Sequence, residues 1–219
     1  MSAYIGYDYD DSSIRYEGID LETDSLRVLE AGLQVAGRIS ELPYAAGLGV
    51  RRGLNAFGAG VSAINGTSLP SIYTVVIGKS ILVVPLNSIF SSRLSLLGQW
   101  TGDVLPYEER FKIGSDLLAR AFRTAEFAGD DGLGVKAELH VRLPSPFARY
   151  GTPTLFGYSD YGEAWQHNLS MQEHAATVGL GFDWDSRFLV GSIELAKPVA
   201  VSAGAPMDWN LLGDVTVRF

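Results

Sequence analysis

The sequence predicts an all-β protein: an antiparallel transmembrane β-barrel, with about eleven strands of a larger barrel in the chain. Three observations carry this. First, Leu133, Val135, Ala137, Leu139 and Val141 alternate with Gly134, Lys136, Glu138, His140 and Arg142, so one strand face is apolar and the other polar. Second, the mean hydropathy is slightly positive, +0.12, although no stretch can be a membrane helix. The most apolar run, 72–90, is broken by Gly78-Lys79-Ser80 and by Pro85, and its Val and Ile favour two strands over a helix. Third, the chain holds 25 Gly, 10 Tyr, 10 Phe and 4 Trp. Gly suits turns and curved strands, and aromatics gather at bilayer interfaces.

The elements follow in order. Residues 3–9 form a strand with Ile5, Tyr7 and Tyr9 on one face, and Asp10-Asp11-Ser12-Ser13 reads as a turn. Residues 14–24 are polar and fit no single element. Residues 26–39 read as a strand, and the Gly-rich 44–60 as a curved one, since five Gly argue against a helix. Asn65-Gly66-Thr67-Ser68 is a turn signal. Strands follow at 71–79 and 88–100. In the second, Phe90, Leu94, Leu96 and Trp100 face one way, and Ser91, Arg93, Ser95 and Gln99 the other. An Arg among hydroxyls and an amide suits a wet lumen better than a dry core. Phe111-Lys112-Ile113-Gly114 ends a shorter strand. From Gly114 to Gly132 the alternation stops, and a loop this long between strands tends to be functional. Further strands are read at 154–162, 175–184, 187–197 and 211–219. The whole chain reads as one domain.

Composition excludes several classes. A formal net charge of −8 argues against nucleic acid, which needs basic patches. With no Cys, disulfide and thiolate chemistry are ruled out. His140, His167 and His174 have no metal-ligand spacing. There is no nucleophile elbow, P-loop or dinucleotide fingerprint. We therefore expect no enzyme, no metal and no cofactor.

The long loop and its flanks carry a motif series: Gln99-Trp100-Thr101, Leu105-Pro106, Glu109, Phe111, Ile113-Gly114, Ala119-Arg120-Ala121-Phe122, Gly129-Asp130-Asp131-Gly132 and Glu138-Leu139. In order and spacing this resembles the two-partner secretion transporters, the FhaC/ShlB/HecB type of haemolysin secretion/activation protein in the BamA-like barrel superfamily. Three positions depart: Ala119 and Ala121 replace the Val and Gly of the family's VRGF, and Ser115 the second Gly of its IGG. The resemblance implies that the loop is the sixth extracellular one, folded back into the lumen with Arg120 and Phe122 at its tip. It also makes Asp160 and Gly162, with Tyr158 ahead of them, the inner-wall motif. It implies that Arg120 pairs with Asp160, that Phe219 completes the terminal recognition signal, and that the chain sits in the bacterial outer membrane. Its partners would be a secreted, unfolded exoprotein, membrane lipid and the outer-membrane assembly machinery. The implied work is secretion, and by the family's name activation, of that exoprotein.

By alternation, Arg93, Lys136, Glu138, Arg142 and Arg218 face the lumen, and Leu94, Leu96, Leu133, Val135, Leu139, Val178, Leu180, Val215 and Val217 face lipid. The start, MSAYIGYDYDD, lacks the basic and apolar regions of a leader. The expectation is therefore a C-terminal portion whose first strands and POTRA domains lie upstream. Bland alternatives stand beside these readings. Residues 115–125 could be a capped helix with Arg120 on its surface, Asp160-Tyr161-Gly162 a plain strand-end turn, and Phe219 an ordinary strand end. For the whole chain the alternatives are a BamA-type assembly barrel and a soluble β-sandwich binding module.

Overall fold

The computed structural model describes residues 1–16, 19–62, 68–114, 118–122, 126–143, 151–202 and 207–218. Among these, fourteen strands appear: β1 (Ser2–Tyr16), β2 (Ile19–Ile39), β3 (Leu42–Gly53), β4 (Gly60–Ser62), β5 (Ser68–Leu69), β6 (Thr74–Pro85), β7 (Phe90–Thr101), β8 (Phe111–Ile113), β9 (Phe127–Gly129), β10 (Asp131–Arg142), β11 (Thr152–Gln166), β12 (Met171–Asp185), β13 (Leu189–Val201) and β14 (Asn210–Val217). Ten are long and form one antiparallel meander, ordered β14-β13-β12-β11-β10-β7-β6-β3-β2 with β1 beside β2. The two short strands β4 and β5 extend this sheet past the end of β3, next to β2. Strands β8 and β9 pair only with each other, inside the long loop. Among the described residues, β1 and β14 have no second neighbour, so the wall is open between them.

The connections differ at the two rims. Turns at 40–41, 86–89 and 186–188 lie at one rim, where β10 also ends and β11 begins. At the other rim β3 ends and β6 begins, β7 ends and β10 begins, and β13 ends and β14 begins, with the tight turn at 167–170. Short turns on one side and long loops on the other are the habit of outer-membrane barrels.

The alternation of apolar and polar residues becomes two faces. On the outward face one rung runs Leu139–Gly157–Leu180–Leu195–Leu211 across five strands. All four of its leucines are more than two-fifths exposed. A continuous apolar face of this kind is unsuited to water and suited to lipid. On the inward face, Lys136, Glu138, Phe156, Tyr158, Asp160, Thr177 and Glu194 are buried. What buries them is the long loop.

Several boundaries differ from the sequence reading. The Asp10–Ser13 turn does not exist: β1 continues to Tyr16, and Asp10 to Ser13 pair with Leu26 to Thr23 of β2. The polar 14–24 segment supplies the ends of these two strands, because cross-strand hydrogen bonds near the rim need no apolar face. Gly78-Lys79-Ser80 does not break β6, which runs unbroken from Thr74 to Pro85. Lys79 lines the inner cavity, so its charge reflects facing. The curved strand ends at Gly53, not at 60. The terminal Phe219 lies outside the described residues, as does the turn signal at 65–67.

Candidate functional site

The long loop leaves β7 at Thr101 and returns at Asp131. Its root is organised by two adjacent carboxylates. Asp130, fully buried, accepts from the backbone N–H of Leu105 through Oδ1 (2.8 Å) and of His167 through Oδ2 (2.8 Å). Asp131 accepts from the N–H of Thr101 (2.7 Å) and faces the His167 ring, with Nε2 2.8 Å from its Oδ2. Gln99 donates to the carbonyls of Glu109 (2.8 Å) and Asp130 (3.1 Å). The Gly-Asp-Asp-Gly stretch is thus the knot that ties the loop's two ends to the β11–β12 turn. His167 has a pKa raised above its usual value, chiefly by its hydrogen bond to Asp131 and against a smaller desolvation penalty.

Beyond the root, β8 and β9 carry the loop across the inner face. Phe111, Ile113, Leu118, Ala119, Phe122 and Phe127 form an apolar cluster with Ala164 and Ala175 of the wall, flanked by Leu97 and Val201. Phe122 and Phe127 meet edge to face at 5.5 Å. The wall beneath is small by register: Gly134 pairs with Gly162, and Gly162 with Ala175. The smallness is required. A Cβ on Gly134 would lie 2.1 Å from Leu118 Cδ1, and one on Gly132 2.0 Å from Phe111 Cδ1. Those glycines face inward on β10, opposite its apolar outward residues.

At the tip, Ala119 adopts a left-handed conformation (φ 54°) and its backbone N–H donates to Asp160 Oδ1 at 2.9 Å. A β-branched residue is poorly tolerated at such a φ, which fits the Ala that replaces the family's Val. Arg120 reaches over the Tyr158 ring, 5.6 Å from its centroid, and pairs with Glu194 on β13. Asn210, at the start of β14, donates to the carbonyl of Ala121. The described residues 118–122 are turn and bend, not helix. Positions 115–117 and 123–125, where the helix reading also rested, lie outside the described residues.

The expected Arg120–Asp160 pair is corrected here. Asp160 holds the loop, but through backbone, while the guanidinium goes to Glu194. The turn at Ala119 sets its N–H over Asp160 and sends the next side chain two strands further along the wall. Sequence reasoning missed Glu194. It had a signal: Glu194 is the sole acid between Asp185 and Asp208, set between Ile193 and Leu195 in a strand.

Under the tip lies a cavity of about 500 Å³ lined in part by Lys79, Arg93, Leu118, Arg120, Lys136 and Glu138. Glu138 gathers two cations, Lys136 at 2.8 Å and Arg93 at 3.5 Å, with the His140 ring at 3.7 Å. Arg142 and Arg218 lie apart from this group. Arg142 ends β10 at the short-turn rim, and Arg218 pairs with Asp185 at the same rim (3.2 Å). Among the described residues no group of His, Asp and Glu has a metal-holding arrangement.

The family model for the haemolysin secretion/activation proteins ShlB/FhaC/HecB matches residues 1–184. The match takes in the first strands and the whole motif series from Gln99 to Leu139, and ends before β13. The structure of CdiB from Escherichia coli aligns with 99% of this chain and 51% of that one, at a TM-score of 0.66 and 18% identity. CdiB from Acinetobacter baumannii aligns with 97% of this chain and 37% of that one, at a TM-score of 0.72 and 17% identity. The chain thus spans about half or less of these two structures. No curated protein sequence matches it.

Proposed function

The chain belongs to the ShlB/FhaC/HecB family of haemolysin secretion/activation proteins, residents of the bacterial outer membrane, and on that premise we propose that it forms wall and inner loop of a pore through which an unfolded exoprotein leaves the periplasm. The observation that carries this is the seat of the loop. The described residues of the loop 102–130 pack on a bed kept small for them, and the tip is held by the Asp160 and Glu194 carboxylates. Such a loop occludes the lumen at rest and can leave it without unfolding the wall, because its strands β8 and β9 pair only with each other. A secretion pore needs a wet, polar, gated passage and no covalent chemistry. The cavity beside Lys79, Arg93, Arg120, Lys136 and Glu138 has that polarity.

We read the open edges of β1 and β14 as places where strands outside this chain complete the wall, since lipid tolerates no unpaired edge. The outward leucines would contact lipid, and insertion would depend on the outer-membrane assembly machinery.

The test is secretion by the protein as the bacterium makes it. Deleting its gene should abolish the exoprotein from the medium while leaving it detectable in the periplasm, and expression in trans should restore it. Unchanged secretion, with other outer-membrane proteins failing to insert instead, would move the protein to barrel assembly.

A further inference from the structure

We propose that Arg51 is a second anchor of the loop, a positioning residue that holds the root against β1–β3 independently of the Arg120 tip. The inference rests on the loop-gated reading above and adds to it a residue that the motif series does not contain.

The geometry is specific. Arg51 lies on the inward face near the loop-bearing end of β3. Its Nε and Nη2 donate to the two carboxylate oxygens of Glu109, at 2.9 Å each. Its Nη1 reaches Asp8 of β1 at 2.9 Å and Glu30 of β2 at 2.6 Å. Glu109 closes the 3₁₀ turn Tyr107–Glu109 in the loop root and is nearly buried, as is most of Arg51. One guanidinium therefore ties three strands to the loop. Its planar fork meets Glu109 bidentately, which a lysine cannot do. The fork is reinforced by an apolar cluster in which Leu105, from the loop, is buried with Leu26, Val28, Tyr73 and Val75.

Place matters as much as strength. From β7 the loop first reaches back past β6 to Arg51, then turns and crosses to β11–β13, where Asp160 and Glu194 hold its tip. The two anchors sit on opposite parts of the wall and share no residue. Releasing Arg120 frees the tip only. Glu109 and the 3₁₀ turn behind it stay against β1–β3 while Arg51 holds, so tip and root are released separately.

Trypsin reads the stages separately, because Arg110 and Lys112 lie just beyond Glu109. In the outer-membrane protein on whole cells, the root should resist external trypsin. Arg51→Ala and Glu109→Gln should each speed cleavage at Arg110 or Lys112 at least about tenfold. Arg120→Ala should leave root cleavage unchanged. Arg51→Lys should fall between, because an ammonium keeps the charge and not the bidentate fork. Since the chain has no Cys, Arg51→Cys with Glu109→Cys can be bridged by a short thiol cross-linker, which should hold the root closed. Glu109→Gln leaves the wall untouched, so it keeps the test valid if Arg51→Ala fails to assemble. Wild-type root cleavage in Glu109→Gln, or equal release by Arg120→Ala, would overturn the proposal. If secretion itself proves absent, the proposed function falls, while the cleavage and cross-linking results still decide the anchor.

Discussion

Strands β10 and β14 share one outward rung yet have different fates on the inner side. Leu139 and Leu211 stand on the same register line and both are widely exposed outward. Inward, β10 is roofed by the loop and its Gly132, Gly134, Lys136 and Glu138 are buried. Every described residue of β14 is exposed. Alternation therefore reports which face meets lipid and leaves open what the other face meets. The roof is written elsewhere, in the residues made small to admit it.

The largest expected effect tests what the two strands share. Leu139→Arg and Leu211→Arg should each cost about 2–4 kcal/mol if the rung lies near the bilayer midplane, measured by denaturant unfolding of the outer-membrane protein in vesicles. A penalty at one site alone would break the common outward face. The next test is where they differ. Gly134→Val should unseat Leu118 at about 1–3 kcal/mol and expose the loop to protease. On β14, a Cβ at Gly213 would meet Ser192 O at 3.3 Å, a far milder contact than the 2.1 Å at Gly134, so Gly213→Ala should cost less than Gly134→Val.

The carboxylates sharpen the same contrast. Asp160→Ala leaves the Ala119 N–H buried and unpaired, at about 1–3 kcal/mol, and should free the tip in a cross-linking assay. Asp214→Ala, on an exposed strand, should change stability by less than about 0.5 kcal/mol. The smallest effect is a pH dependence. His167 is more basic folded than unfolded, so its contact with Asp131 contributes fully below the unfolded value of about 6.5 and is lost as pH rises through the higher folded one. Wild-type thermal stability should therefore fall slightly across that window, and His167→Gln should flatten the fall. The group is largely exposed, so salt should shrink the difference.

Much of this could be read from the residues, for physical reasons. Period-two patterning over Leu133–Arg142 specifies a strand and its lipid face because lipid tolerates no misplaced charge. The loop was visible as a lapse in alternation, and Arg120, Phe122 and Asp160 as motif positions that do lie at its seat. What failed was pairing at a distance. Whether Arg120 meets Asp160 or Glu194 depends on the φ of Ala119, and no spacing reports that. Asp10–Ser13 looked like a turn because its composition is that of turns, although backbone pairing with β2 carries it as strand. Arg51 drew no notice, since two adjacent Arg among glycines, Arg51 and Arg52, signal nothing until Glu109 arrives from 58 residues away.

The two anchors also differ in time. One partner of the root, Arg51, precedes the loop in the chain, and another, His167, follows it. The partners of the tip, Asp160, Glu194 and Asn210, follow it by 41, 74 and 89 residues. The Arg51 contact of the root needs only strands that precede the loop, while the His167 and tip contacts need strands that follow it. Contacts this distant in sequence form slowly. A wall without β14 lacks the Asn210 that grips Ala121, so its tip is held by Asp160 and Glu194 alone among these three partners.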